Sequence, residues 1–207
     1  MRLLLVPHAP TDWNAQGRYQ GHSDPGLSPV GREQAIQLAD RLREECIDEV
    51  LASDLRRAVE TAAAVCEPRR LDFKCDARVR ELNFGAWEGL TYNEVHRSYG
   101  EALTDWEGDP IRVAPPSGET VAQLASRVEA VFNELSISAR KDTTVLLVAH
   151  RGSIRVLLCL ALKMSPAARW QFHLEPASLS VLELHHRGAV LTCLNETHHL
   201  REAAYAG

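Results

Sequence analysis

Leu3-Leu4-Leu5-Val6 and Val145-Leu146-Leu147-Val148 decide how this 207-residue chain is read: each is an unbroken apolar run followed by a histidine, His8 or His150. Four apolar residues without alternation suit a strand buried on both faces, as in a parallel sheet covered by helices. A histidine one or two residues past such a strand stands at the carboxyl edge of the sheet, where open α/β sheets bind ligands. Pro7 stands beside the first histidine, with no side-chain donor and no backbone N–H.

Working outward, helical and extended patterns alternate. After the first strand a Gly-rich loop runs through Gly17, Gly21, Pro25 and Gly26, and Ser28-Pro29 reads as a helix start, Ser capping and Pro in the first turn. Ala35, Leu38, Ala39 and Leu42 then recur at helical spacing. Residues 47 to 52 are expected to be extended, Ser53-Asp54 to cap a second helix ending near Cys66, and residues 71 to 75 to be extended again. Thr91 and Glu94 form a capping-box pattern, and Val121, Leu124, Val128, Val131 and Leu135 mark one face of the longest expected helix. The stretch 105 to 116 reads as a surface excursion. Residues 144 to 149 form a strand that leads into a helix over 153 to 162, and two last strands, 179 to 184 and 190 to 194, flank a turn at His186-Arg187-Gly188. The expected class is α/β, a three-layer α/β/α sandwich with a central, mostly parallel sheet, as one domain over residues 1 to 207.

Composition narrows the function. Hydrophobic residues make up 45% and charged residues 25% of the chain, the balance of a soluble globular protein. The formal net charge of −5 argues against a broad nucleic-acid surface while leaving room for a local cationic pocket. Five scattered cysteines without a Cys-x-x-Cys pair suit reduced thiols in a cytoplasm. The apolar start is too short for a secretion signal, and no run is long enough to span a membrane.

Five blocks carry the chemistry: Val6-Pro7-His8-Ala9-Pro10-Thr11-Asp12-Trp13-Asn14; Gly17-Arg18-Tyr19-Gln20-Gly21-His22; Ser53-Asp54-Leu55-Arg56-Arg57-Ala58; Arg80-Glu81-Leu82-Asn83-Phe84-Gly85-Ala86-Trp87-Glu88-Gly89; and Val148-Ala149-His150-Arg151-Gly152-Ser153. In this order the chain resembles the histidine phosphatase superfamily, the phosphoglycerate-mutase-like enzymes. The resemblance implies that fold, with His8 as the nucleophile that becomes phosphohistidine and Arg57 in the phosphate pocket. It implies that His150 hydrogen-bonds the phosphoryl oxygens and that Glu81 serves as acid and base. Asn14, Gln20 and Gly21, with Arg57 and His150, fall at substrate-binding positions. The first block departs from the usual Arg-His-Gly or Arg-His-Ala, which points to a phosphatase of impaired turnover.

These residue types suit phosphoryl transfer, which is mostly positioning and stabilisation of charge on the equatorial oxygens. A neutral imidazole is a competent nucleophile near pH 7. Glu81 is expected beside an apolar wall of Trp87 and Phe84. No metal or cofactor is implied, and the adjacent pairs His185-His186 and His198-His199 lack a third ligand. Short intervals between blocks favour a phosphatase over a phosphoglycerate mutase, and the second block and the tail 194 to 200 look like α-ribazole phosphatases and metal-independent phosphoserine phosphatases. In that subgroup the tail lies near the substrate entrance, where His198 or His199 would meet the organic part of the substrate. α-Ribazole phosphate, phosphoserine, a sugar phosphate and 3-phosphoglycerate stay open as substrates, and a non-catalytic phosphate-ligand binder is the rival class. The expected partner is a small phosphorylated metabolite, with no nucleic acid and no membrane; a homodimer is left open. Arg56 and Arg155 read as ordinary surface charges, and Arg151 as solvent-facing, its alternative being a replacement for the missing arginine.

Overall fold

The computed structural model describes residues 1–138 and 143–200, so the single-domain expectation over residues 1 to 207 extends past them. In chain order the elements are β1 (Arg2–Pro7), α1 (Asp12–Ala15), α2 (Pro29–Arg41), β2 (Glu49–Ala52), α3 (Arg56–Cys66), β3 (Lys74–Cys75), α4 (Tyr92–Gly108), α5 (Val121–Ser138), β4 (Thr144–Ala149), α6 (Arg151–Ala161), β5 (Leu179–His185) and β6 (Gly188–Glu196). The six strands form one sheet in the order β3-β2-β4-β1-β5-β6. The first four are parallel to one another, while β5 runs antiparallel to β1 and β6 antiparallel to β5.

The two apolar runs pair with each other at the centre, Leu3 opposite Val145 and Val6 opposite Val148. Because side chains alternate along a strand, Leu3, Leu5, Val145 and Leu147 enter one core with residues of α4, α5 and α6. Leu4, Val6, Leu146 and Val148 enter a second core with Leu38 and Leu42 and with Ala58, Ala62 and Val65 of α3. That double burial explains the missing polar alternation, and each fully buried leucine contributes about 1.5–3 kcal/mol. Helices on both faces of one sheet make the three layers.

Several local expectations shift. The extended stretch 71 to 75 pairs only at Lys74 and Cys75. The proposed surface excursion begins inside α4, whose Trp106 is buried against Trp87, so only the residues past Gly108 leave the helix. α6 starts at Arg151, two residues earlier than expected, directly after His150. Thr91 and Glu94 do form the capping box, and Ser28 accepts from the Gly31 amide at the start of α2. Pro7 is tolerated because its missing N–H falls past the last β1–β5 pair, Leu5 with Ser180, while its carbonyl accepts from the Ala177 amide at 3.0 Å. All five cysteines are free. Among the described residues no helix is long and apolar enough to cross a membrane.

Candidate active site

His8 leaves the end of β1 with its backbone N–H bonded to the Ala149 carbonyl at 2.9 Å, so the two central strands hold it at the sheet edge. Its Nδ1 lies 2.7 Å from the Ala9 carbonyl oxygen. A carbonyl can only accept, so Nδ1 carries the proton and Nε2 carries the lone pair. That lone pair accepts from Arg57 Nε at 3.2 Å. Burial, and next the Arg57 charge, lower the His8 pKa from 6.5 to about 3, so the ring is neutral at physiological pH.

Arg57 sits in the first turn of α3 with 0% of its surface exposed. Its remaining donors are taken by the Ser23 carbonyl at 2.8 Å and the Gly21 carbonyl at 2.7 Å. Burial lowers its pKa to about 10, opposed first by the charge of Glu81, and it stays a cation at neutral pH. α3 is not capped by Ser53-Asp54: its N-cap is Leu55, with no side-chain bond, and the Arg56 amide is met by the Asp24 carboxylate at 2.6 Å.

The Ser53 hydroxyl serves the second histidine instead. It lies 2.8 Å from His150 Nε2 and also accepts from the Leu55 amide at 3.4 Å. His150 Nδ1 is buried without a hydrogen-bond partner. The two imidazoles stand edge to face with centroids 5.1 Å apart. Burial, then the charge of Arg57, holds the His150 pKa well below the usual value.

Glu81 meets the same helix start from the other side. Its Oε2 accepts from the Gly152 amide at 2.9 Å and its Oε1 from the Leu82 amide at 2.8 Å. A Cβ on residue 152 would lie 2.0 Å from Glu81 Oε1, so a glycine is what lets the carboxylate reach the helix. The expected apolar wall is not the feature that holds this group: Trp87 and Phe84 pack into an aromatic cluster with Tyr19 and Trp106. The backbone of Glu81 is fixed by Arg127, whose guanidinium donates to its carbonyl at 2.7 Å.

The polar residues of the first loop fall into a supporting arc. Asn14 Oδ1 accepts from the Thr11 amide at 2.9 Å, which orients its Nδ2 as a free donor. Thr11 Oγ1 donates to Gln20 Oε1 at 2.6 Å, and Gln20 Nε2 is buried with no partner. Gly21 acts through its carbonyl on Arg57, and a Cβ there would lie 2.2 Å from Glu88 Oε1. Thus His8, Arg57 and His150 are brought into direct contact, Glu81 reaches the helix that His150 begins, and Asn14 and Gln20 are joined through Thr11.

Three residues went unassigned in the sequence. Glu88 accepts from the amides of His22, Ser23 and Phe84 and so shapes the loop whose carbonyls hold Arg57. Ser53 holds the Nε2 edge of His150. Thr61 accepts from the Ala9 amide at 3.0 Å and donates to the Arg57 carbonyl at 2.7 Å. Arg151 is exposed, yet its charge is among those that depress His8. Arg56 is an exposed helix charge paired with Glu60 at 2.6 Å. In the tail, His199 Nε2 bonds the Ala177 carbonyl at 2.9 Å and Leu200 packs near Ala9, which ties this segment beside the end of β1; His198 is exposed.

A family model described as the histidine phosphatase superfamily (branch 1) matches residues 3–197. Phosphoserine phosphatase 1 of Hydrogenobacter thermophilus is 35% identical over 202 residues, covering 98% of this chain and 95% of the relative. A glucosyl-3-phosphoglycerate phosphatase of Mycobacterium tuberculosis is 36% identical over 176 residues, covering 82% of this chain and 78% of its own length. Among solved structures, the alpha-ribazole phosphatase of Shigella flexneri superimposes with a TM-score of 0.89 at 30% identity, covering 95% of this chain and 96% of that one.

Proposed function

The chain belongs to the histidine phosphatase superfamily, and from that premise we propose that it hydrolyses a small phosphomonoester through a phosphohistidine on His8. The observation that carries this reading is the pairing of a neutral His8, its lone pair on Nε2, with a charged Arg57 at 3.2 Å. Substrate entry takes the Arg57 Nε–H over from the ring onto a phosphoryl oxygen and frees the lone pair to attack phosphorus. The P–N bond forms as the bond from phosphorus to the leaving oxygen breaks, and Glu81 supplies the proton that the leaving alkoxide needs. Glu81 then takes a proton from water, whose oxygen attacks phosphorus and releases His8. The His150 Nδ1–H and the donors Asn14 Nδ2 and Gln20 Nε2 bond the phosphoryl oxygens. Two of these donors are buried and lack protein partners, as a site built for an anion requires.

We assign this chemistry to one domain acting on a small phosphorylated metabolite. Pro7 favours slow turnover, since the cation that the resemblance places there is missing. The test is rapid quenching after mixing with a radiolabelled phosphomonoester, followed by mapping of the label. An acid-labile, base-stable label on His8 is expected, absent in His8→Ala. Saturable binding of phosphate esters without label or release of inorganic phosphate would instead identify a binding protein.

A further inference from the structure

Two arginines of α6, close in sequence to His150, have no counter-ion among the described residues. Arg151 and Arg155 lie one helical turn apart on α6, flanking the Gly152 amide that holds Glu81. The Arg155 guanidinium lies 5.4 Å from the ring centre of Trp170, and that of Arg169 lies 4.7 Å from the same ring. Arg169 is only 5% exposed, whereas Trp170 is 61% exposed. The Arg155 Nε and one terminal nitrogen of Arg169 are buried without partners, and the one bond from Arg169 is a long contact to the Pro166 carbonyl at 3.5 Å. Among the described residues Arg151, Arg155 and Arg169 are in no ion pair, as is true of Arg32, Arg57, Arg69, Arg70, Arg97 and Arg187; what sets Arg155 and Arg169 apart is that both stand over one ring with a buried, unbonded nitrogen.

The Trp170 ring attracts both guanidiniums, but two like charges partly out of water with unbonded N–H groups keep a residual cost that an anion would relieve. Burial and then the Arg151 charge disfavour the charged form of Arg155, burial and also the Arg155 charge that of Arg169, and the Glu81 charge favours both cations. The Arg151 charge also acts on His8. Resting on the phosphatase reading above, we propose that Arg151, Arg155 and Arg169 receive a second anionic group carried on the organic part of the substrate. The planar forks of these side chains suit a carboxylate or a second phosphoryl group. The enzyme would thus select phosphomonoesters that bear two separate negative groups.

The test uses ester pairs that differ in the second group: phosphoserine against phosphoethanolamine for a carboxylate, and fructose 1,6-bisphosphate against fructose 6-phosphate for a phosphoryl group. Dissociation constants are measured on the His8→Ala protein, which keeps the readout independent of turnover, and kcat/KM on the unaltered chain. One pair is expected to favour its dianionic member by about 30-fold or more, as a site with otherwise unpaired donors does. Arg155→Gln and the exposed Arg151→Gln, each added to both backgrounds, should reduce that preference about 10-fold by raising KM rather than lowering kcat. In Arg155→Gln turnover of 4-nitrophenyl phosphate should change less than twofold, which separates this site from the phosphoryl-transfer reading. Equal affinity within both pairs, or an undiminished preference in the two glutamine variants, overturns the proposal.

Discussion

His8 and His150 come off adjacent strands of one sheet, lie 5.1 Å apart and are both buried, yet their ring nitrogens are used differently. In His8 both are engaged, one by a carbonyl that forces its tautomer and one by the Arg57 guanidinium. In His150 one is held by Ser53 and the other is left open. A nucleophile must be aimed before the substrate arrives, whereas a donor to the phosphoryl group gains its partner only from the substrate. Under the proposed mechanism the contrast makes His8 the indispensable group and His150 a supporting one. His8→Ala should lower kcat by about 10⁴–10⁶, the range for loss of a nucleophile. His150→Ala should cost about 10²–10³, the range for one preorganised donor. Steady-state kinetics on 4-nitrophenyl phosphate checks this, and losses of equal size would break the distinction.

The next effect in size concerns the neighbour of His8. Beside that ring stands a buried cation, Arg57, whose three donor nitrogens are all bonded to the protein before the substrate enters, while the charge of the exposed Arg151 also acts on the ring. Pro7→Arg should raise kcat by about 10² while the KM moves little, provided circular dichroism and the melting midpoint show the fold intact. An intact variant without gain would mean that Arg151 already supplies the missing charge, and would sharpen the comparison by making residue 7 irrelevant to His8.

Both central strands were legible because a run buried on two faces contains only apolar residues, and His8 and His150 were legible because they follow those runs. α4 was legible only at its capping box, since its inward residues Val95, Tyr99, Leu103 and Trp106 are separated mostly by polar and charged ones. The role of Ser53 was hidden for a different reason: a Ser-Asp pair before a helix reads as a cap, and only the tertiary fold brings its hydroxyl to His150. Glu81 and Glu88 share one loop, and the resemblance singled out Glu81. The part played by Glu88 depends on three amides that the sequence does not place beside it. Arg155 read as a surface charge because nothing local to it reveals Trp170 and Arg169 across the fold.

The smallest expected effect is on stability in acid, and it tests whether both rings are held neutral. Unfolded, each histidine titrates near 6.5, whereas folded His8 titrates at about 3 and His150 well below the usual value. Between those limits the unfolded chain binds protons that the folded one does not, so stability rises with pH across the window and is lost as pH falls. His22 and His199, lowered chiefly by burial, act with the same sign. Urea unfolding followed from pH 7 to pH 4 should therefore show proton uptake on unfolding, and His8→Gln and His150→Gln should each reduce that uptake by about one proton. If only one of them does so, the other ring is already protonated in the folded chain: a charged His8 could not attack phosphorus, while a charged His150 would be a stronger donor, and the division of labour between the two would rest on charge rather than on the open nitrogen.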